Sequence, residues 1–237
     1  MNRSTALAER PDDVAPLVGP GVALIFDMDG VIIHSTPLHT LAWQIYLERL
    51  GIPSDGILQR MHGKRNDQIV TDIFGDSLSS AEVSEHGFAK ERLYRELMAN
   101  RIHENLVPGL QELLDQTQGV PRGLATNAEP LNVDFVLDGA GIRHHFQAVV
   151  HGHQVSRPKP DPEVFLRVAA LLGYAAANCV IFEDSPSGII AARAAGARVV
   201  ALETTRCGFP EADLCIPDFR DPRLLPWLAQ QRPLAAS

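Results

Sequence analysis

Polar and charged residues of the types found in catalytic sites recur where apolar runs of the sequence end. Two aspartates follow residues 22–26, a threonine follows 122–125, and two adjacent acids follow 179–182, while a lysine lies in a loop between runs. The set comprises Asp27, Asp29, Thr126, Asn127, Lys159, Glu183 and Asp184. In an open parallel sheet, ligands bind beyond the carboxyl ends of the strands. If the runs are strands of one sheet, these residues therefore meet at one edge.

The residue types in this set point to a specific chemistry. Clustered carboxylates repel one another, so they require a cation or must share protons. Oxygen ligands suit a hard divalent ion, and Mg²⁺ typically takes one or two carboxylates together with phosphate oxygens of the substrate. An ammonium and a hydroxyl can hold a phosphate, and a carboxylate can attack phosphorus to form an aspartyl-phosphate. The set predicts Mg²⁺-dependent phosphoryl transfer.

Each of these residues also has a simpler structural interpretation. The two aspartates suit a turn after a strand, and the threonine with its asparagine suits the N-cap of a helix beginning near Pro130. The lysine could be a solvated loop residue, and the Glu-Asp pair could cap a helix beginning near Pro186. The threonine could cap a helix and bind phosphate at once.

Strands that alternate with helices are needed to position these side chains. Apolar runs predict strands over residues 22–26, 122–125, 148–150, 179–182 and 198–202. Helical periodicity covers residues 108–116, 131–140, 162–172 and 185–195. Alternation of this kind is typical of an α/β fold, and we predict a doubly wound parallel sheet with helices on both faces.

A helical insert follows the first predicted strand. Residues 34–105 show helical periodicity and almost no strand pattern. Their apolar faces comprise Leu38, Leu41, Ala42, Ile45 and Leu50; Ile69, Val70, Ile73 and Phe74; and Val83, Phe88, Leu93, Tyr94 and Leu97. We predict a loose leader over residues 1–20, an α/β core built from 21–33 and 106–237, and a helical cap domain over 34–105 on the loop side of the core.

Composition limits the compartment and the partners. The 237 residues carry a formal net charge of -8, which argues against non-specific nucleic-acid binding because that requires basic clusters. Three widely spaced cysteines predict neither a disulfide framework nor a zinc cluster. The sequence lacks a signal peptide and any run approaching the ~20 apolar residues of a membrane helix. We expect a cytoplasmic protein, monomeric or weakly homo-oligomeric, that acts on a small phosphate ester and binds neither nucleic acid nor membrane.

Four short motifs resemble those of a known family. Residues 26–31, which read Phe-Asp-Met-Asp-Gly-Val, are similar to the first motif of the haloacid dehalogenase (HAD) superfamily in its phosphotransferase form. Thr126 resembles the second motif, Lys159 the third, and Glu183 with Asp184 the fourth. The motifs occur in the family order, and the resemblance spans roughly residues 22–203. It implies a Rossmann-like core with an inserted helical cap.

The resemblance implies a role for each motif residue. Asp27 would be the nucleophile and Asp29 the general acid and base. Thr126 and Lys159 would hold the transferred phosphoryl group. Asp29 would bind Mg²⁺ through its backbone carbonyl, and Glu183 would be a ligand or support one. The implied metal ligands are Asp27, Asp29, Glu183 and Asp184.

The insert matches the cap of the subfamily that includes β-phosphoglucomutase and many sugar-phosphate phosphatases. Such caps close over the site and exclude water during the first half-reaction. The implied substrate-binding residues are Asn127, His39, Gly63, Lys64, Arg65 and Asn66. Asn66 stands where β-phosphoglucomutase carries a phosphate-binding arginine, and Lys64 and Arg65 could compensate for its absence.

Several activities are compatible with these motifs. We favour a phosphatase for small phosphorylated metabolites such as sugar phosphates, because the arginine expected for a second phosphate is absent. The nearest alternative is a phosphomutase of the β-phosphoglucomutase kind. A dehalogenase would have no use for Asp29 or the metal. A phospho-accepting receiver or other non-catalytic binding module is more remote, since receivers order these residues differently and lack a helical insert.

Overall fold

Six strands form a single parallel sheet in the computed structural model, which describes residues 16–57 and 64–233. The strands are β1 (Ala23–Phe26), β2 (Arg122–Ala125), β3 (Ala148–Val150), β4 (Cys179–Glu183), β5 (Arg198–Leu202) and β6 (Leu214–Ile216). Their order across the sheet is β3-β2-β1-β4-β5-β6, and every neighbouring pair is parallel. The central strand β1 therefore ends between the ends of β2 and β4, which brings the first, second and fourth motifs together.

Helices cover both faces of the sheet. The helices of the described residues are α1 (Thr36–Arg49), α2 (Asn66–Phe74), α3 (Ser80–Met98), α4 (Ile102–Asn105), α5 (Leu110–Gln116), α6 (Pro130–Gly139), α7 (Glu163–Leu172), α8 (Pro186–Ala194) and α9 (Leu224–Gln230). Leu24 and Phe26 pack in one hydrophobic cluster with α5, α6 and α9, while Ala23 and Ile25 pack in another with α7 and α8. Burial on both faces explains the continuous apolar runs and confirms the predicted doubly wound α/β fold.

The segment between Ile33 and Leu106 is helical, as predicted. Its described residues form α1 to α4 and no strand. Trp43, Ile69 and Val70 belong to a small hydrophobic cluster separate from the two clusters at the sheet. An antiparallel bridge joins Ile33 to Leu106, so the chain enters and leaves this helical insert at one point. The bounds 34–105 for a cap domain remain a prediction.

The predicted apolar faces of the insert are wrong at three positions. Leu41, Leu50 and Phe88 are 37%, 45% and 50% exposed, whereas Trp43 and Leu47 of α1 are buried. α1 is apolar on most of its circumference because it contacts the cluster beside the sheet and the cluster of the insert. Periodicity alone therefore cannot identify the side of α1 that faces solvent.

The two ends of the described chain pack together. Val18, predicted as part of a loose leader, is buried, and the Gly19 backbone N–H donates to Leu228 O of α9 at 3.0 Å. Residues 1–15 of that predicted leader lie outside the described residues. β6 and α9 were not predicted from the sequence. Within residues 16–57 and 64–233, none of the helices combines the length and apolar character required to cross a membrane.

Candidate active site

A cavity of about 250 Å³ lies between the carboxyl edge of the sheet and the helical insert. The predicted residues of the core that line it are Asp27, Asp29, Thr126, Asn127, Lys159, Glu183 and Asp184. Those of the insert that line it are His39, Lys64, Arg65 and Asn66. Gly63, also predicted to bind substrate, lies outside the described residues. The fold therefore gathers around one cavity every predicted site residue that the structure describes.

Three buried carboxylates meet at the base of the cavity. Asp27, Glu183 and Asp184 each offer an oxygen within 4.8 Å of the others. The Lys159 ammonium donates to Asp27 Oδ1 and to Glu183 Oε1, both at 2.7 Å. Three carboxylates against one ammonium leave two negative charges at the base of the cavity. A hard divalent cation with oxygen ligands, such as Mg²⁺, fits this set of donors in charge and chemistry.

Burial makes these carboxylates difficult to ionise. It raises the pKa of Asp27 to about 7, with the attraction of Lys159 opposing the rise and repulsion from Glu183 and Asp29 adding to it. Burial and repulsion from Glu183 and Asp27 also raise the pKa of Asp184 well above its ordinary range. Buried acids of this kind are ionised when a cation lies beside them. A bound cation would therefore also balance the excess of negative charge at the base of the cavity.

A glycine allows the first and fourth motifs to approach each other. Gly30 has a φ of +77°, and a Cβ atom at this position would lie 1.9 Å from Asp184 Oδ2. Its carbonyl accepts a hydrogen bond of 2.6 Å from the Thr204 hydroxyl, in the loop after β5. The Asp-x-Asp-Gly turn therefore requires glycine for its backbone conformation and for the close approach of Asp184.

Two side chains at the start of the insert hold the carboxylate of Asp29. The Ser35 hydroxyl donates to Asp29 Oδ1 at 2.5 Å, and His39 Nε2 lies 3.5 Å from the same oxygen. Burial acts to raise the pKa of Asp29, but the interactions with His39 and Ser35 outweigh burial and lower it. His39 itself stacks on Tyr94 of α3 with ring centroids 3.7 Å apart. Sequence reasoning missed Ser35, although its place just before α1, six residues after Asp29, was a usable signal.

Asn127, next to the second-motif residue Thr126, contacts Lys159 of the third motif. The Thr126 hydroxyl accepts from the Ala128 backbone N–H at 3.1 Å, and α6 has Glu129 as its N-cap residue, so the N-cap interpretation of Thr126 is wrong. Asn127 Oδ1 accepts from the Lys159 backbone N–H at 3.2 Å. Lys159 is only 4% exposed, which contradicts the interpretation as a solvated loop lysine.

The fourth motif does not cap the helix that follows it. The Ser185 side chain does so, by accepting from the Gly188 backbone N–H at 3.1 Å. Glu183 Oε2 accepts from the backbone N–H groups of Asp184 and Ser185 at 2.9 and 3.0 Å. Glu183 therefore orients the turn that presents Asp184 to the cavity.

Three of the polar side chains that the insert contributes to the cavity already have ion-pair or hydrogen-bond partners within the protein. Lys64 forms an ion pair with Asp72. Arg65 donates to the Gly152 carbonyl of the core at 3.3 Å and lies 3.4 Å from Asp67. The side-chain amide of Asn66 donates to Glu91 Oε1.

Lys90, Glu91 and Asn132 are among the residues of the cavity wall that were not predicted. Lys90 and Glu91 precede Tyr94 by four and three residues, so they lie on the same buried face of α3. A charged pair at that spacing was the signal that sequence reasoning overlooked. Asn132 gave no comparable signal.

Comparisons with known proteins agree with the geometry. A model of the haloacid dehalogenase-like hydrolases matches residues 22–196. A β-phosphoglucomutase from Bacillus subtilis is 34% identical over 76% of this chain and 82% of its own length. The fructose-1-phosphate phosphatase YqaB of Escherichia coli is 34% identical over 73% of this chain and 92% of its own. A HAD hydrolase of family IA from Entamoeba histolytica superposes with a TM-score of 0.78 at 24% identity, covering 89% of this chain and 100% of its own.

Proposed function

This chain belongs to the haloacid dehalogenase-like hydrolases, and from that membership we propose a phosphatase that hydrolyses small phosphorylated sugars through an aspartyl-phosphate at Asp27. The enzyme is a phosphatase or a phosphomutase for phosphorylated sugars. The observation that carries the finer proposal is the convergence of Asp27, Glu183, Asp184 and Lys159 at the base of one cavity. Phosphoryl transfer depends mainly on such positioning and charge neutralisation.

The first step is attack by Asp27 on phosphorus. A carboxylate oxygen of Asp27 bonds to phosphorus while the bond from phosphorus to the sugar oxygen breaks. The phosphate dianion brings negative charge near Asp29 and raises its pKa, so that Asp29 carries a proton. Asp29 donates this proton to the departing oxygen, and the sugar leaves as an alcohol. Lys159, at 2.7 Å from Asp27 Oδ1, orients the nucleophile.

Water completes the hydrolysis. Asp29 accepts a proton from a water molecule, the water oxygen bonds to phosphorus, and the bond from phosphorus to Asp27 breaks. Asp27 is again a carboxylate, and the proton taken from water stays on Asp29 while the product phosphate is bound and is released once inorganic phosphate leaves. The contacts from Ser35 and His39 support both transfers because they fix the Asp29 carboxylate.

Mg²⁺ is the proposed cofactor. The residues that would hold it are Asp27, Asp184 and the backbone carbonyl of Asp29, with Glu183 beside them. When bound, the ion neutralises negative charge on the phosphate oxygens during transfer. Glu183 already accepts from Lys159 and from two backbone N–H groups, so we assign to it the orientation of the site.

The charges of the insert favour hydrolysis over the mutase reaction. A mutase of the β-phosphoglucomutase kind hands its phosphoryl group to a second hydroxyl of a sugar phosphate, so its cap must bind a second phosphate. Position 66 is an asparagine in this chain. Lys64 and Arg65, the cations that could replace the missing arginine, lie beside Asp72 and Asp67.

Phosphate release from a panel of sugar monophosphates tests the proposal. We expect release in the presence of Mg²⁺, loss of release after chelation, and recovery when Mg²⁺ is restored. Asp27→Asn should abolish turnover while the far-ultraviolet circular dichroism spectrum stays unchanged. Incubation with β-glucose 1-phosphate and a bisphosphate primer separates the two activities. Glucose 6-phosphate as the main product would indicate a mutase, and turnover that survives chelation would contradict the metal-dependent mechanism.

The remaining parts of the proposal concern organisation. We assign residues 34–105 to a cap that opens for substrate and closes over the cavity. We expect the enzyme to be cytoplasmic and to work as a monomer or a weak homo-oligomer. Sedimentation of the purified chain would test the oligomeric state.

A further inference from the structure

A buried ion pair lies on the insert side of the cavity. Lys90 and Glu91 of α3 are only 2% and 3% exposed, and Lys90 Nζ donates to Glu91 Oε1. Charged side chains are rarely buried to this extent, and when they are, they require partners. Both residues line the cavity that also contains Asp27.

The carboxylate of Glu91 is held ionised by several donors. Asn132 of the core donates to Glu91 Oε2 at 2.6 Å, and the amide of Asn66 donates to Oε1. Burial alone would raise the pKa of Glu91, but the attraction of Lys90 and His39 and the hydrogen bonds lower it to about 2. The Glu91 carboxylate is therefore ionised, and it balances the charge of the buried Lys90 ammonium.

His39 lies between this charge and the proposed acid-base residue. Its Nε2 is 3.5 Å from Asp29 Oδ1, and its Nδ1 is 3.7 Å from Glu91 Oε2. The imidazole ring of His39 thus separates the carboxylates of Glu91 and Asp29. A sugar whose phosphate is held at Asp27 would occupy the rest of the same cavity, which Glu91 lines from the insert.

Each cation that the insert presents to the cavity is paired with an acidic side chain. Lys64 is paired with Asp72, Arg65 lies beside Asp67, and Lys90 is paired with Glu91. The other arginine of the cavity wall, Arg206, lies on the core side and stacks on Phe209. Among the described residues, the insert side of the cavity therefore presents no lysine or arginine without an acidic partner.

We propose that Glu91 is a specificity-determining residue that excludes a second anionic group from the far end of the substrate. This inference rests on the proposed function and narrows it to sugar monophosphates whose far end carries hydroxyls. A second phosphate would meet a lysine whose charge Glu91 already balances, together with a carboxylate of its own sign, in a buried place where interactions between charges are strong. Hydroxyl groups can instead donate to the carboxylate and exchange hydrogen bonds with the amides of Asn66 and Asn132.

A buried hydrogen-bond donor of the cavity wall is available to an oxygen of the sugar. The indole N–H of Trp43 has no hydrogen-bond partner among the described residues, although Trp43 is fully buried and lines the cavity. A substrate oxygen is a suitable acceptor for such a donor.

Paired kinetics on a hexose 1-phosphate and the matching hexose 1,6-bisphosphate test the proposal. For the folded wild-type enzyme with Mg²⁺, we expect kcat/KM to favour the monophosphate by about tenfold or more. Glu91→Gln should raise the ratio of bisphosphate to monophosphate kcat/KM by about tenfold, because the repelling charge is gone and Lys90 is left without its carboxylate. The matched control is Glu96→Gln, the same change on the same helix at a side chain that is 62% exposed, and it should leave the ratio unchanged.

A double variant and a binding measurement complete the test. The variant Lys90→Met with Glu91→Gln removes both charges of the pair, so it should leave the ratio near the wild-type value, in contrast to Glu91→Gln alone. Dissociation constants of both sugars, measured by calorimetry on the Asp27→Asn variant, report the same preference without turnover. Equal wild-type values for the two sugars in kinetics and in binding, or a ratio unmoved by Glu91→Gln, would overturn the inference. If the enzyme does not hydrolyse the monophosphate but still binds it more tightly than the bisphosphate, the proposed phosphatase activity is wrong and the inference about Glu91 stands.

Discussion

At the scale of single residues, the environment of Asp29 separates it from Asp27 although only one residue lies between them. Asp27 contacts Lys159 at the base of the cavity, whereas Asp29 contacts Ser35 and His39 of the insert. One carboxylate is therefore oriented by the core and the other by the insert. This division suits a nucleophile that works in both half-reactions and an acid-base residue that is held when the insert covers the site.

Replacement of Asp29 by asparagine should remove proton transfer and leave binding in place. We expect Asp29→Asn to lower kcat/KM, which reports the first half-reaction, by about 10²–10⁴-fold on alkyl phosphates, the range typical of a general acid. The loss should be smallest on aryl phosphates, because their leaving groups depart without a proton. Steady-state kinetics on both substrate classes would measure this difference. An equal loss on both would argue against the acid role.

The buried carboxylate of Glu91 should make stability depend on pH. Its pKa is about 2 in the folded protein against an ordinary value of 4.5, so the unfolded chain takes up the proton first as pH falls. The stability that the ionised group contributes is complete above about pH 5 and is lost between pH 4.5 and 2. Between pH 6 and pH 3, the stability difference between wild type and Glu91→Gln should shrink by roughly 2 kcal/mol. Urea unfolding of both proteins would measure it, and a difference that is constant with pH would contradict the assignment.

At the scale of elements, the turn after β1 determines how closely the motifs approach. Gly30 combines a φ of +77° with a contact that a Cβ atom would make at 1.9 Å from Asp184. The length of β1 and its place between β2 and β4 bring the motifs to the same edge, and the glycine then allows contact between them.

Gly30→Ala should therefore damage the site more than the fold. We expect a loss of activity of about 100-fold or more, since Asp184 must move, and a destabilisation of about 1–2 kcal/mol from the left-handed backbone. Gly51→Ala is the matched control, because Gly51 has a φ of +71° and a Cβ atom added there would meet nothing within 4 Å. It should show a similar loss of stability in thermal unfolding and retain full activity. Equal activity of the two variants would refute the role of Gly30.

The elements differ in how well the sequence predicts them. β1, β4 and β5 are almost continuous apolar runs because both of their faces are buried, as is typical of strands of a parallel sheet. β6 was missed because only one of its three residues is buried, whereas two are buried in β3, the edge strand of equal length on the other side of the sheet. α9 was missed because Pro226 interrupts its short pattern, although a proline in the first turn of a helix is tolerated.

At the scale of the whole molecule, the sequence predicts the cavity residues that the core contributes but does not predict the contacts between the insert and the core. Residues of the core half follow strand ends, and a parallel sheet places all such ends at one edge. Glu91 and Asn132 come from different helices of the insert and the core, and their contact depends on how the insert docks onto the sheet. No short sequence pattern encodes that docking, so the contact between Glu91 and Asn132 became visible only in the structure.

Binding of Mg²⁺ to the acidic base of the cavity should stabilise the whole chain. A ligand at about 100 times its dissociation constant adds about 2.7 kcal/mol, which corresponds to a rise of roughly 5–10 °C in Tm for a protein of this size. Asp184→Asn should abolish the shift, and Asp134→Asn, at an exposed carboxylate paired with Arg143, should retain it. Differential scanning calorimetry with and without Mg²⁺ would measure the shift. Its persistence in Asp184→Asn would place the ion elsewhere.

The central claim is that Asp27 carries the phosphoryl group between the two half-reactions. The direct measurement is rapid acid quenching of the enzyme during turnover of a sugar monophosphate, followed by mass spectrometry of its peptides. Asp29→Asn with an aryl phosphate provides a second sample, because the aryl group departs without a proton while the second step lacks its base, so the intermediate accumulates. We predict a phosphoryl group on the peptide that contains Asp27 and on no other. Phosphorylation of a different residue, or phosphate release at the wild-type rate from Asp27→Asn, would contradict the account.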